Sequence, residues 1–353
     1  MGRINNMLRQ DGGMDRRSFL KLSGLLGIGA ASATIVPVSA EAVRFNRKLV
    51  KVSKTRLAMG TFVSMTLIHH STDQAQEAMG LAFEEIDRLA GLLSRFNESA
   101  AVAQLNKEGY LKGVPPELML VVSRALYYNN LTGGSFDITV KPVIDLFVKD
   151  FEGSKKRIPS EAELQKVLRF VGSEKVKVKQ GSIFFKRPGM GITLDGIAKG
   201  FIVDRASEIL TRNKIKNHLI NAGGDIRTKG SKAKGRPWSI AIQDPLKRKH
   251  YPDIIQMRDG AIATSGNYEV YFDREKMFYH IVDPKTGLSP EMTTSVSVTA
   301  RTTMEADALS TSVFVMGPRK GMAFINRLQN CESLVVSRGG TLSKSRGWKS
   351  AAI

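Results

Sequence analysis

Asp307 and Thr311 stand four residues apart in Ala306-Asp307-Ala308-Leu309-Ser310-Thr311, so on a helix they share one face. A carboxylate beside a hydroxyl suits a hard, oxygen-seeking cation such as Mg²⁺, with water, carbonyl or phosphate oxygens completing the shell. The same two residues also fit an acid in a helix's first turn and a threonine bonding back to its own helix. A second segment, Ile192-Thr193-Leu194-Asp195-Gly196-Ile197-Ala198-Lys199-Gly200, runs from a predicted strand into a predicted helix. Amides at a helix start, with a lysine beside them, suit a phosphate, and glycines let backbone approach a ligand. The segment is neither a Walker loop nor the dinucleotide fingerprint, and a tight strand-to-helix turn with a surface lysine explains it as well. In Asn221-Ala222-Gly223-Gly224-Asp225 the glycine pair at a strand end marks a bulge, a turn with positive φ, or room for a ligand. His280, in His280-Ile281-Val282-Asp283-Pro284-Lys285-Thr286-Gly287, offers an acid, base or orienting group near neutral pH, or simply a half-buried strand residue. The small-residue loops at 132–137 and 263–268 carry the same two readings.

Hydrophobic periodicity predicts the elements that must hold these groups. Residues 61–68 alternate as a strand, and 72–93 place Ala75, Ala78, Met79, Ala82, Phe83, Ile86 and Leu89 on one face of a long amphipathic helix. Helices are also predicted over 116–131, 160–170, 199–210, 306–316 and 320–328, and Ser160 with Glu163 has the capping-box pattern. Short strands are predicted over 176–178 and 183–185 as a hairpin, and then at 219–220, 238–242, 254–257, 261–264, 278–282 and 295–299. Helices and strands mix without strict alternation, which favours α+β over a doubly wound sheet. Residues 149–160 are the best linker or insertion candidate, and no repeat or low-complexity segment is present.

The 353-residue chain is 42% hydrophobic and 24% charged, as in an ordinary soluble protein. Asp15-Arg16-Arg17-Ser18-Phe19-Leu20-Lys21, with an apolar stretch over about 22–36 and Val38-Ser39-Ala40 behind it, reads as a twin-arginine export signal spanning 1–40. The stretch falls short of the ~20 apolar residues of a comfortable membrane span, and an uncleaved N-terminal anchor is the alternative. The expected location is periplasmic, membrane-associated if the signal stays on. Residues 41–56, polar and basic, are expected to be a flexible lead-in, and 57–353 a single domain. Five Lys/Arg against two Asp/Glu in residues 1–40 leave +17 of the formal +20 charge on the remainder. Such a field attracts phosphates and acidic surfaces. Export, and basic runs without interleaved aromatics, argue against nucleic acid. Cys331, the single cysteine, permits no internal disulfide and is expected to be a buried apolar residue.

Taken in order, Met59-Gly60-Thr61, Leu93-Ser94-Arg95-Phe96, Gly133-Gly134-Ser135-Phe136-Asp137, Asp195 to Gly200, Asn221 to Asp225, Ala263 to Tyr268, His280 to Gly287 and Ala306 to Thr311 form one series. The series resembles the ApbE family, the FAD:protein FMN transferases, over nearly all of residues 57–328. The resemblance implies an α+β, T-fold-related architecture of mixed sheets with packed helices. It implies a secreted or periplasmic enzyme that binds FAD as substrate together with Mg²⁺, cleaves the pyrophosphate, releases AMP and joins FMN to a Ser or Thr of a partner protein. The target pattern is roughly Asp-x-x-Ser/Thr-Gly-Ala/Ser-Ser/Thr, and the expected acceptor is a flavoprotein of a membrane electron-transfer complex. Carried over by position, Met59, Phe96, Ser135, Phe136, Asp137, Thr193, Lys199 and Ile281 would line the FAD site. Gly196 (through its carbonyl), Asp307 and Thr311 would hold the metal, and His280 and Asp283 would handle protons as the catalytic groups.

Three positions depart from the family pattern. Phe96 stands where Tyr is usual, which keeps ring stacking and loses a hydroxyl. Thr193 and Asp195 replace the commoner Asp and Gly, so a carboxylate is added that either joins the metal's outer shell or caps the next helix. Two other functions fit the same residues: an FAD pyrophosphatase with water as nucleophile, and a non-catalytic periplasmic FAD-binding or chaperone protein.

Overall fold

The computed structural model describes residues 41–46, 49–152, 157–245, 251–267 and 280–351. The export motif at 15–21, Tyr268 and residues 153–156 of the expected linker lie outside these. The chain opens with strands β1 (Glu41–Asn46), β2 (Leu49–Ala58) and β3 (Thr61–His69). Helices α1 (Thr72–Leu93) and α2 (Ala101–Glu108), strand β4 (Tyr110–Lys112), and helices α3 (Pro116–Leu131), α4 (Lys141–Glu152) and α5 (Glu161–Leu168) follow. Next come β5 (Val176–Lys179), β6 (Ser182–Phe185), helix α6 (Ala198–Arg212), β7 (Asn217–Ala222), β8 (Asp225–Lys229), β9 (Trp238–Ala241), β10 (Ile254–Met257) and β11 (Gly260–Gly266). The last elements are β12 (Thr293–Ala300), helix α7 (Thr303–Ile325), β13 (Glu332–Ser337) and β14 (Leu342–Lys344).

Nine strands form one sheet in the order β1-β2-β3-β7-β8-β11-β12-β13-β14, and each of these pairings is antiparallel. This is the expected α+β arrangement. One face is covered by α1, α6 and α7, whose apolar residues join Val63, Met65, Leu67, Ile220, Val296, Val298 and Val335 in the main core. Helix α1 buries the seven positions its periodicity predicts, and Ser71 caps it by accepting the Gln74 N–H at 3.2 Å. On the other face, the β9–β10 hairpin packs Ile240, Ile242 and Ile255 against Ile226, Ile262, Leu334 and Val336. A smaller apolar cluster gathers Val143, Ile144, Phe147, Leu164 and Val282 around α4 and α5.

Three expectations are corrected. Residues 41–46 and 49–56, expected as a flexible lead-in, belong to β1 and β2. Lys51 and Ser53, which look loop-like in sequence, flank Val52, which is buried, and β2 pairs with β1 on one side and β3 on the other. Within the strand expected over 278–282, residues 280–282 are not strand. Ile281 is buried in the main core and Val282 in the smaller cluster, so this short apolar run reflects side-chain packing and not a ladder, which periodicity alone does not separate. The two helices expected over 306–316 and 320–328 are one, Thr303–Ile325, kinked at Gly317 (φ 77°, ψ 171°) before Pro318.

Strand register brings the scattered motifs to one end of the sheet. The β2–β3 turn at Met59-Gly60 follows the Ala58/Thr61 pair, and the β7–β8 turn at Gly223-Gly224 follows the Ala222/Asp225 pair. Strand β11 runs past Ile226 toward Gly224, so Thr264, Ser265 and Gly266 reach the same end.

Candidate active site

Helices α6 and α7 form the floor of the site by unusually close approach. A Cβ on Gly200 would fall 2.4 Å from the Thr303 carbonyl oxygen, so only glycine permits this backbone contact. The Gly200 N–H donates to Asp307 Oδ2 at 3.1 Å. Asp204 adds a second tie, accepting the N–H groups of Thr303 and Met304 at 2.9 Å each. Ahead of α6, a Cβ on Gly196 would lie 3.0 Å from Thr311 Oγ1 and 3.3 Å from the Phe136 ring. Thr311 also meets Ser265, whose Oγ is 3.2 Å from Thr311 Oγ1 and 2.8 Å from Ser310 Oγ. Gly200 thus permits the helix contact, and Gly196 lies against Thr311 and Phe136.

Around this floor a cavity is lined by Ser135, Phe136, Asp137, Thr193, Asp195, Gly196, Lys199, Thr264, Ser265, His280, Ile281, Asp307 and Thr311, with apolar neighbours. Its walls are held from outside. Asn106 clasps Ile192, donating to its carbonyl at 2.9 Å and accepting its N–H at 2.7 Å. The Thr193 N–H donates to the Ile138 carbonyl at 2.8 Å, and Thr193 Oγ1 accepts the Asp195 N–H at 3.3 Å. The Asp137 carboxylate accepts from Asn129 at 3.1 Å, from the Thr139 N–H at 2.8 Å, from the Thr139 hydroxyl, and from the Ser173 N–H and hydroxyl at 3.0 and 2.8 Å. That set of bonds makes Asp137 a brace for the wall.

Lys199 is the lysine of the lining, and its Nζ lies 3.6 Å from Oδ2 of Asp225, a residue 1% exposed. Asp225, which follows the Gly223-Gly224 turn, was not singled out from the sequence. An acid directly after a glycine pair at a strand end is the sequence feature that marks it. Asp195 does not cap α6, whose N-cap is Ile197; it pairs with Arg95, with Nε at 3.1 Å and Nη2 at 3.0 Å from Oδ2. Loss of water around Asp195 would raise its carboxyl, but the Arg95 guanidinium, the Thr193 hydroxyl and His280 hold it below the usual carboxylate range.

Three expected site residues stand outside the cavity lining. Met59 occupies the β2–β3 turn with φ 52° and packs on the main core. Phe96 is 51% exposed beneath the Arg95 guanidinium. Asp283 organises its own turn: its carboxylate accepts the Lys285 N–H at 2.8 Å, and its backbone bonds to Leu288 and Gly287. The remaining ten, from Ser135 to Thr311, line the one cavity.

Cationic Lys199, carboxylate Asp307, hydroxyl Thr311 and imidazole His280 together suit binding and displacement at a phosphate. A family model described as the ApbE family matches residues 59–335. An FAD:protein FMN transferase of Vibrio cholerae serotype O1 is 34% identical over 248 residues, 68% of this chain and 74% of that protein. One from Haemophilus influenzae is 31% identical over 262 residues, covering 72% of this chain and 74% of its own. Among solved structures, the ApbE protein of Thermotoga maritima superposes with a TM-score of 0.76 at 29% identity, over 84% of this chain and 97% of that one. The flavin transferase ApbE of Vibrio cholerae superposes with a TM-score of 0.72 at 28% identity, over 85% and 97%.

Proposed function

Since this chain belongs to the ApbE family, we propose that it transfers FMN from FAD to a Ser or Thr hydroxyl of a partner protein, releasing AMP with the help of Mg²⁺. The observation that carries the reading is the gathering of Lys199, His280, Asp307 and Thr311, drawn from separate parts of the chain, around one cavity. The hydroxyl oxygen of the acceptor attacks the phosphorus on the FMN side of the pyrophosphate. The bond from that phosphorus to the bridging oxygen breaks, and AMP leaves with the electron pair. The hydroxyl proton passes to a base, for which His280 is the candidate on the lining. Lys199, steadied by Asp225, offsets phosphate charge.

The donor set fits Mg²⁺. Among the described residues no cluster of three or more His, Cys, Asp or Glu side chains is placed to hold a metal. A cation here would therefore be held by the Asp307 carboxylate with neutral oxygens of Thr311 and Gly196, and Mg²⁺ accepts few carboxylates beside water and phosphate. Bound there, it would supply charge neutralisation of the pyrophosphate and of the departing AMP.

We also propose export by the twin-arginine route to the periplasm, with a flavoprotein of a membrane electron-transfer complex as acceptor. Replacing Arg16 and Arg17 by Lys should hold the protein in the cytoplasm; unaltered fractionation would reject the route. For the activity, the protein is incubated with FAD, Mg²⁺ and a candidate acceptor bearing the target pattern. In-gel flavin fluorescence and an acceptor mass gain of one FMN phosphoester, both abolished by EDTA or Asp307→Ala, support transfer. Free FMN and AMP with an unlabelled acceptor would indicate hydrolysis, and intact FAD a binding protein.

A further inference from the structure

We propose that Arg95 is a positioning residue that ties the exposed Phe96 ring to Asp195 on the cavity wall and so holds that ring as a platform for a planar heteroaromatic ring of the substrate. The inference rests on the flavin-transfer reading for the identity of that substrate. Arg95 and Asp195 are 100 residues apart in the chain, yet two guanidinium nitrogens stand 3.0 and 3.1 Å from one Asp195 oxygen. The same guanidinium lies 4.3 Å from the centre of the Phe96 ring. Arginine can do both at once because its charged group is flat: the edge donates hydrogen bonds while the face stacks on a ring.

Phe96 is otherwise badly placed for a phenylalanine. It is 51% exposed, whereas Arg95, a charged residue, keeps only 13% of its side chain in water. The turn carrying the ring is hydrogen-bonded within itself. Ser94 Oγ accepts the N–H groups of Phe96 and Asn97 at 3.1 and 3.3 Å, and Asn97 Oδ1 accepts from the Ser99 N–H and hydroxyl at 3.2 and 2.8 Å. A hydrogen-bonded turn that presents an aromatic ring to water, with a cation on one side and a tether to the cavity wall, is suited to stacking a second ring. The arrangement also gives Asp195 a role: it fixes the arginine that fixes the ring.

The test measures FAD affinity by flavin fluorescence, and KM and kcat for transfer, in Arg95→Gln, Asp195→Asn, the double variant, Arg95→Lys and Phe96→Ala. Thermal melts accompany each. Each of the first two, and Phe96→Ala, is expected to weaken FAD roughly tenfold, the scale of one lost ring stack. The loss should fall on KM rather than kcat, and the double variant should be no weaker than the worse single. Arg95→Lys keeps the charge without the flat face and should recover only part of the affinity. FAD affinity within twofold of wild type in both Asp195→Asn and Phe96→Ala, or strictly additive losses in the double variant, would overturn the assignment. Asp195→Asn, nearly isosteric and part-exposed, decides the matter even if an Arg95 variant folds poorly. Wild-type protein that binds no FAD would refute the flavin reading and this assignment with it, whereas binding that all variants retain refutes the assignment alone.

Discussion

Gly200→Ala should cripple the site without touching a group that meets substrate. The added Cβ would lie 2.4 Å from the Thr303 carbonyl oxygen, 2.6 Å from its carbon and 2.8 Å from Met304 Cα. All three are backbone atoms, so no rotamer change relieves the clash. A carbon–oxygen contact tolerates about 3.3 Å, so α6 and α7 must part by roughly 1 Å. The Gly200 to Asp307 hydrogen bond, now 3.1 Å, would then lengthen past bonding range. Overpacking costs about 1–3 kcal/mol, loss of a hydrogen bond to a charged group about 1.5–3 kcal/mol, and better helix propensity returns about 1 kcal/mol. The net destabilisation is about 1.5–5 kcal/mol, read as a drop in Tm of at least about 3 °C. Displacing Asp307 and Thr311 by about 1 Å relative to Lys199 should lower transfer on the order of a hundredfold. Gly80→Ala is the matched control: it lies exposed on α1 with nothing within 4 Å of its new Cβ and should be neutral or stabilising. Melting curves and acceptor labelling under saturating FAD supply the readouts. Gly200→Ala with an unchanged Tm and a rate within threefold of wild type would refute the close helix contact.

Asp225→Asn should lower kcat/KM for transfer roughly tenfold, about 1.4 kcal/mol of transition-state stabilisation, because Lys199 loses its charged anchor; an unchanged value would make the pair incidental. His218 is fully buried, its Nδ1–H donating to the Ile215 carbonyl at 3.0 Å and its Nε2 accepting from Ser207 at 2.7 Å, and burial pushes its imidazole from 6.5 down to about 4. Between those values the unfolded chain binds a proton that the folded chain refuses. The contribution is therefore complete above pH 6.5 and is lost as pH falls to about 4, by up to about 3 kcal/mol. Urea unfolding at pH 7.5 and 5 should show this slope in wild type and a shallower one in His218→Gln; parallel slopes would dismiss it. At Asp253, burial would raise the carboxyl, but Lys344, Trp348, Ser350 and the Ile254 N–H together bring it down to about 2. Its stabilisation is present above pH 3.8 and fades as pH falls toward 2, so Asp253→Asn should lower Tm at pH 7 and much less at pH 2.5, checked by melting at both values.

Much of the local structure was legible before any contact was known. Helix α1 follows from its apolar spacing and Ser71, and α5 starts where Ser160 and Glu163 bond each other in a full capping box. These signals act within a turn or two of chain, so spacing alone carries them. The ordered series of motifs, likewise, determined the family and most of the residues that line the cavity. What only the tertiary structure decided were the partners. Gly200 is glycine because α7 lies against it, a fact that no neighbour in sequence encodes. Asp195 fits a helix cap in the sequence and is instead bound to Arg95. Asp225 gains its meaning from Lys199, and Asp283 spends its carboxylate on its own turn. Strand β2 looked like a loose leader because its polar residues could not announce which neighbour would cover Val52. Periodicity and caps are set by backbone geometry that repeats along the chain. Close approach and charge pairing depend instead on how burial of the whole apolar surface brings distant segments together, and that sum is settled only in the folded molecule.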